Sequence, residues 1–539
     1  MSMASDGVFE SGAPSDPAAS VRRRAGGGRT PRGLLAAASV SAALVLVPLL
    51  VIVAQALHAG VGRAVALLWR PLVGELLLNT LLIVGATTCL CAVLGTMAAW
   101  FVERTDLPGR RTWSVLLAGP LAVPAFITSY AWISLSPAFQ GFGGALLVVT
   151  SSYYPLVLLP VAAALRGLDP ALEETARSLG CGPWRCFLRV VLPQLRPALL
   201  GGMLMVALGV LAEFGAFSLL RFRTFTTQIY AQYRTGFNGE NAALLACALL
   251  VLCLGCLAAE WKVLGSARYD RADRGVKRVS TFYELGRARW PAVALCAVVG
   301  LLALGMPLGM TAYWLTQHDA AAVSMTSSGL FDLLDTTWVS VRLGMAGAAL
   351  ATVLALPVGF LLVRHPGRYA VLLERTVYLS QGLPGIVLAL AIVTLAVRVL
   401  LPLYQSTLLL VVAYAIMFLP LALVSVRAAL VQVQSKLEDA ARSLGLRWYE
   451  VVWRVLLPLT GPGLAAAAAL VFISVVTELT ATLLLAPIGT ETLATQIWDD
   501  TSTLAFAAAA PYAALMVGIS LGGSWILTSL FGRSAASKT

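Results

Sequence analysis

Residues 173–180 read Glu-Glu-Thr-Ala-Arg-Ser-Leu-Gly, and residues 438–445 read Glu-Asp-Ala-Ala-Arg-Ser-Leu-Gly. The two stretches are 265 positions apart, and Leu-Pro follows each of them at the same distance, at residues 192–193 and 457–458. A polar segment that recurs without a gap in an apolar chain indicates two related halves. We therefore predict an internally duplicated protein with one such segment in each half.

The composition is typical of a membrane protein. Of 539 residues, 59% are hydrophobic and 12% are charged, whereas soluble domains are about 25% charged. The mean hydropathy is +0.84, and many apolar runs reach about 20 residues, the length that crosses a bilayer. A helix satisfies its own backbone hydrogen bonds in lipid. We predict an all-α membrane protein with about twelve transmembrane helices in two parallel six-helix repeats.

The residues that would support catalysis or nucleic-acid binding are missing or placed elsewhere. The net charge is +12, but the basic residues lie mostly in short loops between apolar runs, which points to membrane topology. No Gly-Lys dipeptide occurs, so the chain has no phosphate-binding loop. The three histidines and eight cysteines form no metal-site pattern or nucleophile–base pair. We therefore predict a non-catalytic membrane subunit that binds no metal or cofactor.

Apolar runs and polar stretches set the expected domain boundaries. These are a disordered basic cytoplasmic tail (1–33), a first transmembrane half (34–261), a cytoplasmic linker (262–290), a second transmembrane half (291–531) and a short cytoplasmic tail (532–539). In the first half, spans are expected near 34–57, 75–102, 114–136, 142–165, 197–220 and 242–261. In the second half, they are expected near 291–315, 335–363, 371–398, 405–430, 462–486 and 508–531. The distribution of Lys and Arg places both termini and both repeated segments in the cytoplasm, which predicts a multi-pass protein of the cytoplasmic membrane.

Each repeated segment has the local signals of a short helix that ends at glycine. Ser435 and Glu438 fit a capping box, and Gly180 and Gly445 stand where a left-handed residue would end the helix. Apolar side chains fall on one helical face, so a helix that lies on the lipid is the alternative interpretation. That alternative does not account for the near-identity of the two stretches, which favours a docking role.

Both segments resemble the "EAA" loop of permease subunits of binding-protein-dependent ABC importers. Thr175 replaces the middle alanine of the first copy, and Asp439 replaces the glutamate of the second. The resemblance implies that each loop is a coupling helix that fits a cleft of an ATP-binding subunit. The docking positions that it implies are Glu173, Glu174, Ala176, Gly180, Glu438, Asp439, Ala441 and Gly445. The implied partners are two copies of an ABC ATPase, which carry the ATP and Mg, an extracytoplasmic substrate-binding protein and the lipid membrane, but no nucleic acid.

Two acidic residues occupy equivalent positions within predicted spans. Glu213 and Glu478 are also 265 positions apart. An ionisable side chain within a span usually faces a bundle interior or an aqueous cavity, so the pair is a candidate lining of the translocation pathway for a cation. The alternative is an interhelical hydrogen bond. Pro124 and Pro384, 260 positions apart, are expected at kinks or gates.

The substrate is the least determined feature of the sequence. Residues 483–498 look most like the ferric iron permeases, and two glutamates in the membrane agree with a cation. Permeases for thiamine, putrescine, sulfate and phosphonate remain alternatives. A secondary transporter of the six-plus-six kind is a further alternative, although it would not require two matching cytoplasmic loops.

Overall fold

The computed structural model describes residues 32–168, 170–264, 283–317 and 327–536. Within these ranges the chain is helical, and extended backbone pairs only at an isolated bridge between Thr105 and Tyr283. Most of the predicted tail 1–33, most of the linker 262–290 and the end of the tail 532–539 lie outside the described residues. The last helix continues beyond the predicted boundary at 531, to Ala536.

The first half begins with a long apolar helix and then repeats a pattern of long and short helices. Its helices are α1 (Arg32–His58), α2 (Val61–Leu68), α3 (Pro71–Arg104), α4 (Arg110–Ala118), α5 (Ala125–Leu135), α6 (Phe142–Tyr153), α7 (Pro155–Gly167), α8 (Pro170–Ser178), α9 (Pro183–Cys186), α10 (Leu192–Ala212), α11 (Gly215–Leu219), α12 (Phe225–Arg234) and α13 (Gly239–Leu264).

The second half follows the same order, with fewer breaks between its helices. Its helices are α14 (Arg289–Gly300), α15 (Met306–Leu315), α16 (Ser327–Arg364), α17 (Arg368–Leu379), α18 (Gly385–Val399), α19 (Thr407–Gln432), α20 (Ser435–Ser443), α21 (Trp448–Val451), α22 (Leu457–Val476), α23 (Thr480–Leu485), α24 (Leu493–Ser502) and α25 (Phe506–Ala536). One π-helical turn joins α9 to α10, and another joins α21 to α22.

Ten helices among the described residues are long and apolar enough to cross a membrane. Two further pairs pass the same test together, but each is sharply bent, by 91° between 110–122 and 125–135 and by 107° between 368–382 and 385–399. The predicted all-α membrane fold is confirmed, and it reaches twelve spans if each bent pair counts as one. The stretches predicted as simple spans at 114–136 and 371–398 are therefore broken.

Proline explains both breaks. Pro124 and Pro384 immediately precede α5 and α18. The residues before them, Val123 and Leu383, have extended backbone, because a proline ring disfavours the helical conformation of the residue that it follows. The kinks predicted at these two prolines are confirmed.

The first spans of the two halves both contact the opposite half. Helix α1 packs against α16, α17 and α18 of the second half, while α15 packs against α5 of the first half and against α25 of its own half. Within each half, the helices approach closely where glycine allows it. A Cβ on Gly95 of α3 would stand 2.7 Å from the Cβ of Val157 on α7, so this helix contact depends on the missing side chain.

Candidate functional site

The repeated segments form the short helices that their sequence predicts. Helix α8 ends just before Gly180, which has a φ of +80°, and α20 ends just before Gly445, which has a φ of +87°. The amide after each glycine donates to a carbonyl of the preceding helix: Cys181 N to Ala176 O (3.0 Å) in the first copy, and the equivalent atoms at 3.2 Å in the second. These left-handed glycines confirm the predicted helix ends.

The capping box predicted in the second copy is wrong. Helix α20 begins at Ser435, so the N-cap position falls on Gln434. The carboxylate of Glu438 instead accepts a hydrogen bond from Arg364 Nε at 2.6 Å. A buried guanidinium offers this carboxylate a charged donor, which makes a stronger bond than a backbone amide can.

The glutamate at the equivalent position in the first copy also turns inward. Glu173 and Glu438 are 3% and 5% exposed, and each forms an ion pair with the arginine that ends the long helix of its half. The Arg104 Nη1 to Glu173 Oε2 distance is 3.5 Å, against 2.6 Å for Arg364 and Glu438. These two carboxylates therefore anchor the loops to α3 and α16, and they do not present themselves to a docking partner.

The outer surface of each loop carries charged and apolar side chains. Of the eight predicted docking positions, Glu174, Gly180, Asp439 and Gly445 are exposed, Ala176 is partly exposed and Ala441 is buried. Leu179 and Leu444, at equivalent positions, are 81% and 84% exposed. Exposed leucines on a polar loop mark a surface that another protein or a membrane covers. The two copies present this surface alike.

A second site lies between the halves. A cavity of about 460 Å³ is lined by both halves, including the two bent segments and the ends of α10 and α22. Its polar lining consists of Ser152, Tyr153, Glu213, Ser380, Gln381, Ser474, Thr477, Glu478 and Thr480. The cavity brings together the two glutamates that the sequence singled out, and it is lined by Pro124 and by Leu383 and Gly385, the neighbours of Pro384. A polar cavity that both halves line is the form a translocation pathway takes.

The two glutamates lie at helix breaks and not within continuous spans. Helices α10 and α22 end at Ala212 and Val476, whereas spans were predicted over 197–220 and 462–486. Each carboxylate accepts a hydrogen bond from the amide three residues further on, at 2.8 Å for Glu213 and 3.0 Å for Glu478. Because the carboxylate satisfies free amides at the start of the next short helix, the chain breaks at these positions.

The two carboxylates differ in their side-chain partners. Tyr153 Oη donates to Glu213 Oε2 at 2.6 Å. The residue equivalent to Tyr153 at the 265-position offset is Phe418, which lines the same cavity but has no hydroxyl. Glu478 has no hydrogen bond from a side chain of the described residues. The interhelical hydrogen bond considered as an alternative thus exists at Glu213, while Glu478 keeps a carboxylate oxygen for the cavity.

Short helices follow the cavity in both halves. Helices α12 and α24 begin with capping boxes made by Thr224 with Thr227 and by Thr492 with Thr495. The rings of Tyr230 and Trp498 lie 6.0 Å apart, so the two helices meet across the halves. In α24, burial raises the pKa of Asp500 to about 6.

Several residues of these sites were not identified from sequence. Arg104 and Arg364 occur in both halves, 260 positions apart, but they lie 69 and 74 positions before their glutamates, so the sequence shows the duplication of both residue types and not their pairing. Tyr153 gave no signal, since its counterpart is Phe418. Among the described residues, no group of three or more His, Cys, Asp or Glu side chains is arranged to hold a metal ion.

Comparison with known proteins identifies the repeated unit. Residues 92–261 and 350–533 each match the family described as "Binding-protein-dependent transport system inner membrane component". The chain is 35% identical over 477 residues to an Fe(3+)-transport system permease protein, FbpB 2, of Haemophilus influenzae. That alignment covers 87% of this chain and 92% of the relative.

Other relatives match over a shorter part of the chain. The molybdenum transport system permease protein ModB of Escherichia coli is 28% identical over 205 residues, which is 33% of this chain and 88% of the relative. Among solved structures, a chain of the MetNI methionine ABC transporter is matched over 99% of its length and 38% of this chain. The identity is 20% and the TM-score is 0.32, a score too low for a conclusion about fold.

Proposed function

The chain belongs to the family of binding-protein-dependent transport system inner membrane components, and from this premise we propose that it is the fused two-half permease of an ATP-driven importer of ferric iron. The observation that carries the proposal is the match to the Fe(3+) permease, which spans both halves of this chain. The molybdenum relative covers only a third of the chain.

The central cavity supports a cationic substrate. Fe³⁺ is a hard cation, and carboxylate and hydroxyl oxygens are the ligands that such ions prefer. Glu213 and Glu478 supply two carboxylates, and the serine and threonine hydroxyls of the lining supply neutral oxygens. In this proposal, the cation passes between the halves through the cavity. The bends next to it, at Pro124 and Pro384, are the places where a gate can open.

The repeated loops support two ATPase sites. Each loop presents an exposed leucine, Leu179 or Leu444, and an exposed acidic residue, Glu174 or Asp439. We assign these surfaces to two copies of an ABC ATPase that binds ATP and Mg, in the cytoplasm together with both termini. The opposite face receives the substrate from an extracytoplasmic binding protein. The buried pairs Arg104–Glu173 and Arg364–Glu438 then pass loop movement to α3 and α16.

Uptake in a deletion strain tests the substrate. The strain is complemented with this chain and supplied separately with radiolabelled ferric iron, sulfate, molybdate, thiamine and putrescine. We expect complementation to restore iron uptake alone. If iron uptake is the same with and without the chain while another substrate depends on it, the iron assignment is wrong and the permease role stands.

Co-purification tests the ATPase partner. Gly180 and Gly445 have open space around their Cα atoms, so Gly180→Ala and Gly445→Ala act through the strain of a left-handed alanine, about 1 kcal/mol or more. We expect an ATPase to purify with the wild-type chain and to be lost from the double variant. Gly367→Ala, at an equally open glycine with extended backbone, is the control. Uptake driven by a proton or sodium gradient without any ATPase would favour a secondary transporter.

A further inference from the structure

The chain that leads into α14 is fixed to the cytoplasmic end of the first half. Tyr283 N donates to Arg104 O at 2.8 Å, and Asp106 N donates to Tyr283 O at 3.3 Å. Two residues later, Leu285 N donates to the carboxylate of Asp106 at 2.9 Å. Residues 283–288, which we call the strap, are therefore held by their backbone at the end of α3.

The side chain of Tyr283 reaches the first coupling helix at two points. Its hydroxyl donates to Glu173 Oε1. The Cζ atom of Arg177, one turn further along α8, lies 4.2 Å from the centre of its ring, which is the geometry of a cation–π contact. On its other side, the ring packs on Trp100 of α3 at 5.3 Å. One tyrosine thus links α8 to α3.

This contact changes the ion pair beneath it. Glu173 shares its carboxylate between Tyr283 and Arg104, and the distance to Arg104 Nη1 is 3.5 Å. Arg104 is 1% exposed, and its Nε and Nη2 atoms have no hydrogen-bond partner among the described residues. Unsatisfied buried donors are rare and costly, and here they occur where the hydroxyl of Tyr283 binds one of the two oxygens of Glu173.

In the part of the chain that the structure describes, the second half shows the arrangement without such a tyrosine. Arg364 Nε donates to Glu438 at 2.6 Å, and Arg364 Nη2 donates to Val433 O at 2.9 Å. The segment that precedes α1, at the position corresponding to the strap, lies outside the described residues. Residues 1–31 contain no tyrosine, so that segment has no phenol to offer Glu438.

We propose that the strap belongs to the first ATPase-docking site, together with α8 and its buried ion pair. In this site Tyr283 positions α8 through Glu173 and Arg177. The second docking site has no equivalent of the strap tyrosine. The inference rests on the proposed function for the identity of the partner. The strap continues directly into α14, so a push of the ATPase on α8 reaches the first span of the second half as well as α3. The two ATPases therefore act on unequal sites.

Hydrogen exchange of the purified full-length chain tests the positioning role without any partner. Tyr283→Phe removes the hydroxyl and keeps the ring. We expect amides of residues 170–180 to exchange about tenfold faster, as for the loss of a hydrogen bond to a charged group, and those of residues 435–445 to be unchanged. Tyr449→Phe, which removes an exposed hydroxyl next to the second loop, is the matched control. Unchanged exchange at 170–180, or equal acceleration in both loops, would overturn the inference.

A double-mutant cycle separates positioning through Glu173 from general destabilisation. If Tyr283 acts through Glu173, then Tyr283→Phe adds little to Glu173→Gln in the same exchange experiment. If the effects of the two substitutions on hydrogen exchange simply add, the hydroxyl of Tyr283 does not act through the carboxylate of Glu173.

Photo-crosslinking in the assembled complex then tests the partner. A photoreactive amino acid replaces Ser178 or Ser443, which are equivalent and exposed. We expect both positions to cross-link to the ATPase, and Tyr283→Phe to lower the yield several-fold at Ser178 alone. If neither position cross-links to an ATPase, the proposed docking role fails, while the exchange result still decides the contact of the strap. If both positions cross-link to the ATPase and Tyr283→Phe lowers the yield equally at both, the inference about the strap is wrong and the proposed docking role stands.

Discussion

In the first half, Glu173 divides its carboxylate between Tyr283 and Arg104, whereas in the second half Glu438 binds Arg364 directly. The two helices that carry these glutamates have nearly the same sequence and the same glycine end. The difference comes from residues outside the repeat. A duplicated loop therefore keeps its local structure, while its attachment to the bundle depends on what each half places beside it.

In the central cavity, too, equivalent residues of the two halves have different side-chain partners. Glu213 and Glu478 are equivalent in sequence and in their backbone hydrogen bonds. Tyr153 donates to Glu213 only, because its counterpart is Phe418. A cavity lined by equivalent residues of both halves thus has one carboxylate that a tyrosine hydroxyl binds and one that no side chain of the described residues binds.

The largest expected effect is on the two buried ion pairs. Arg364→Met leaves the buried carboxylate of Glu438 without its donor and should destabilise the chain by about 3 kcal/mol. Arg104→Met should destabilise it by about 1 kcal/mol or less, because Glu173 keeps Tyr283 and two unsatisfied donors disappear. Thermal unfolding of the purified chain measures both.

Arg427→Met is the control for this experiment, since Arg427 belongs to a more exposed ion pair with Glu374 and should change stability by under about 1 kcal/mol. Equal losses for Arg104→Met and Arg364→Met would remove the proposed difference between the two anchors.

The second prediction concerns transport. Glu478→Gln should lower uptake about tenfold, equivalent to about 1.4 kcal/mol, because the free carboxylate loses its charge. Glu213→Gln should lower uptake by about threefold or less, since the glutamine oxygen still accepts from Ala216 N and its NH2 group can donate to the hydroxyl of Tyr153. Uptake is measured with matched amounts of protein in the membrane. Wild-type rates for both variants and for the double variant would exclude these residues from the pathway.

The third prediction concerns a substitution that makes the two halves of the cavity more alike. Phe418→Tyr places a hydroxyl near Glu478 and should lower uptake about fivefold, by a hydrogen bond worth about 1 kcal/mol. In a Glu478→Asp background the effect should shrink, since the shorter side chain moves the carboxylate away. An undiminished effect would mean that the added hydroxyl acts by bulk alone.

The smallest expected effect concerns Asp500 of α24, one of the two short helices that follow the cavity. Burial raises the pKa of Asp500 to about 6, so the native state favours the protonated acid and loses stability as pH rises from about 4 to about 6. The equivalent residue in the first half is the uncharged Gln232. Because Asp500 is only partly buried, we expect Asp500→Asn to add about 1 kcal/mol at pH 7.5 and almost nothing at pH 4. Equal changes in unfolding temperature at both pH values would contradict this.

Features that depend on neighbouring residues could be predicted from the sequence. The apolar segments, the short helices α8 and α20, the left-handed glycines and the breaks at Pro124 and Pro384 follow from local rules for hydrophobicity, glycine and proline. The duplication was also visible, because it needs only a constant offset between matching residues.

Side-chain partners could not be predicted in this way. The sequence placed Glu173 and Glu438 on the docking surface and put Glu213 and Glu478 within spans. The structure instead buries the first pair against arginines and puts the second pair at helix ends. Tyr153 and Tyr283 were overlooked because nothing repeats at their positions in the other half.

The sequence by itself thus determined the membrane class, the duplication and the helical structure of the two repeated loops, since backbone conformation and lipid partition depend on residues within a few turns of each other. The tertiary structure alone decided how the two copies differ. Tyr283 is 110 positions from Glu173, and Tyr153 is 60 positions from Glu213. Contacts over such separations are set by how the helices pack, and the packing of the two halves is only approximately symmetric.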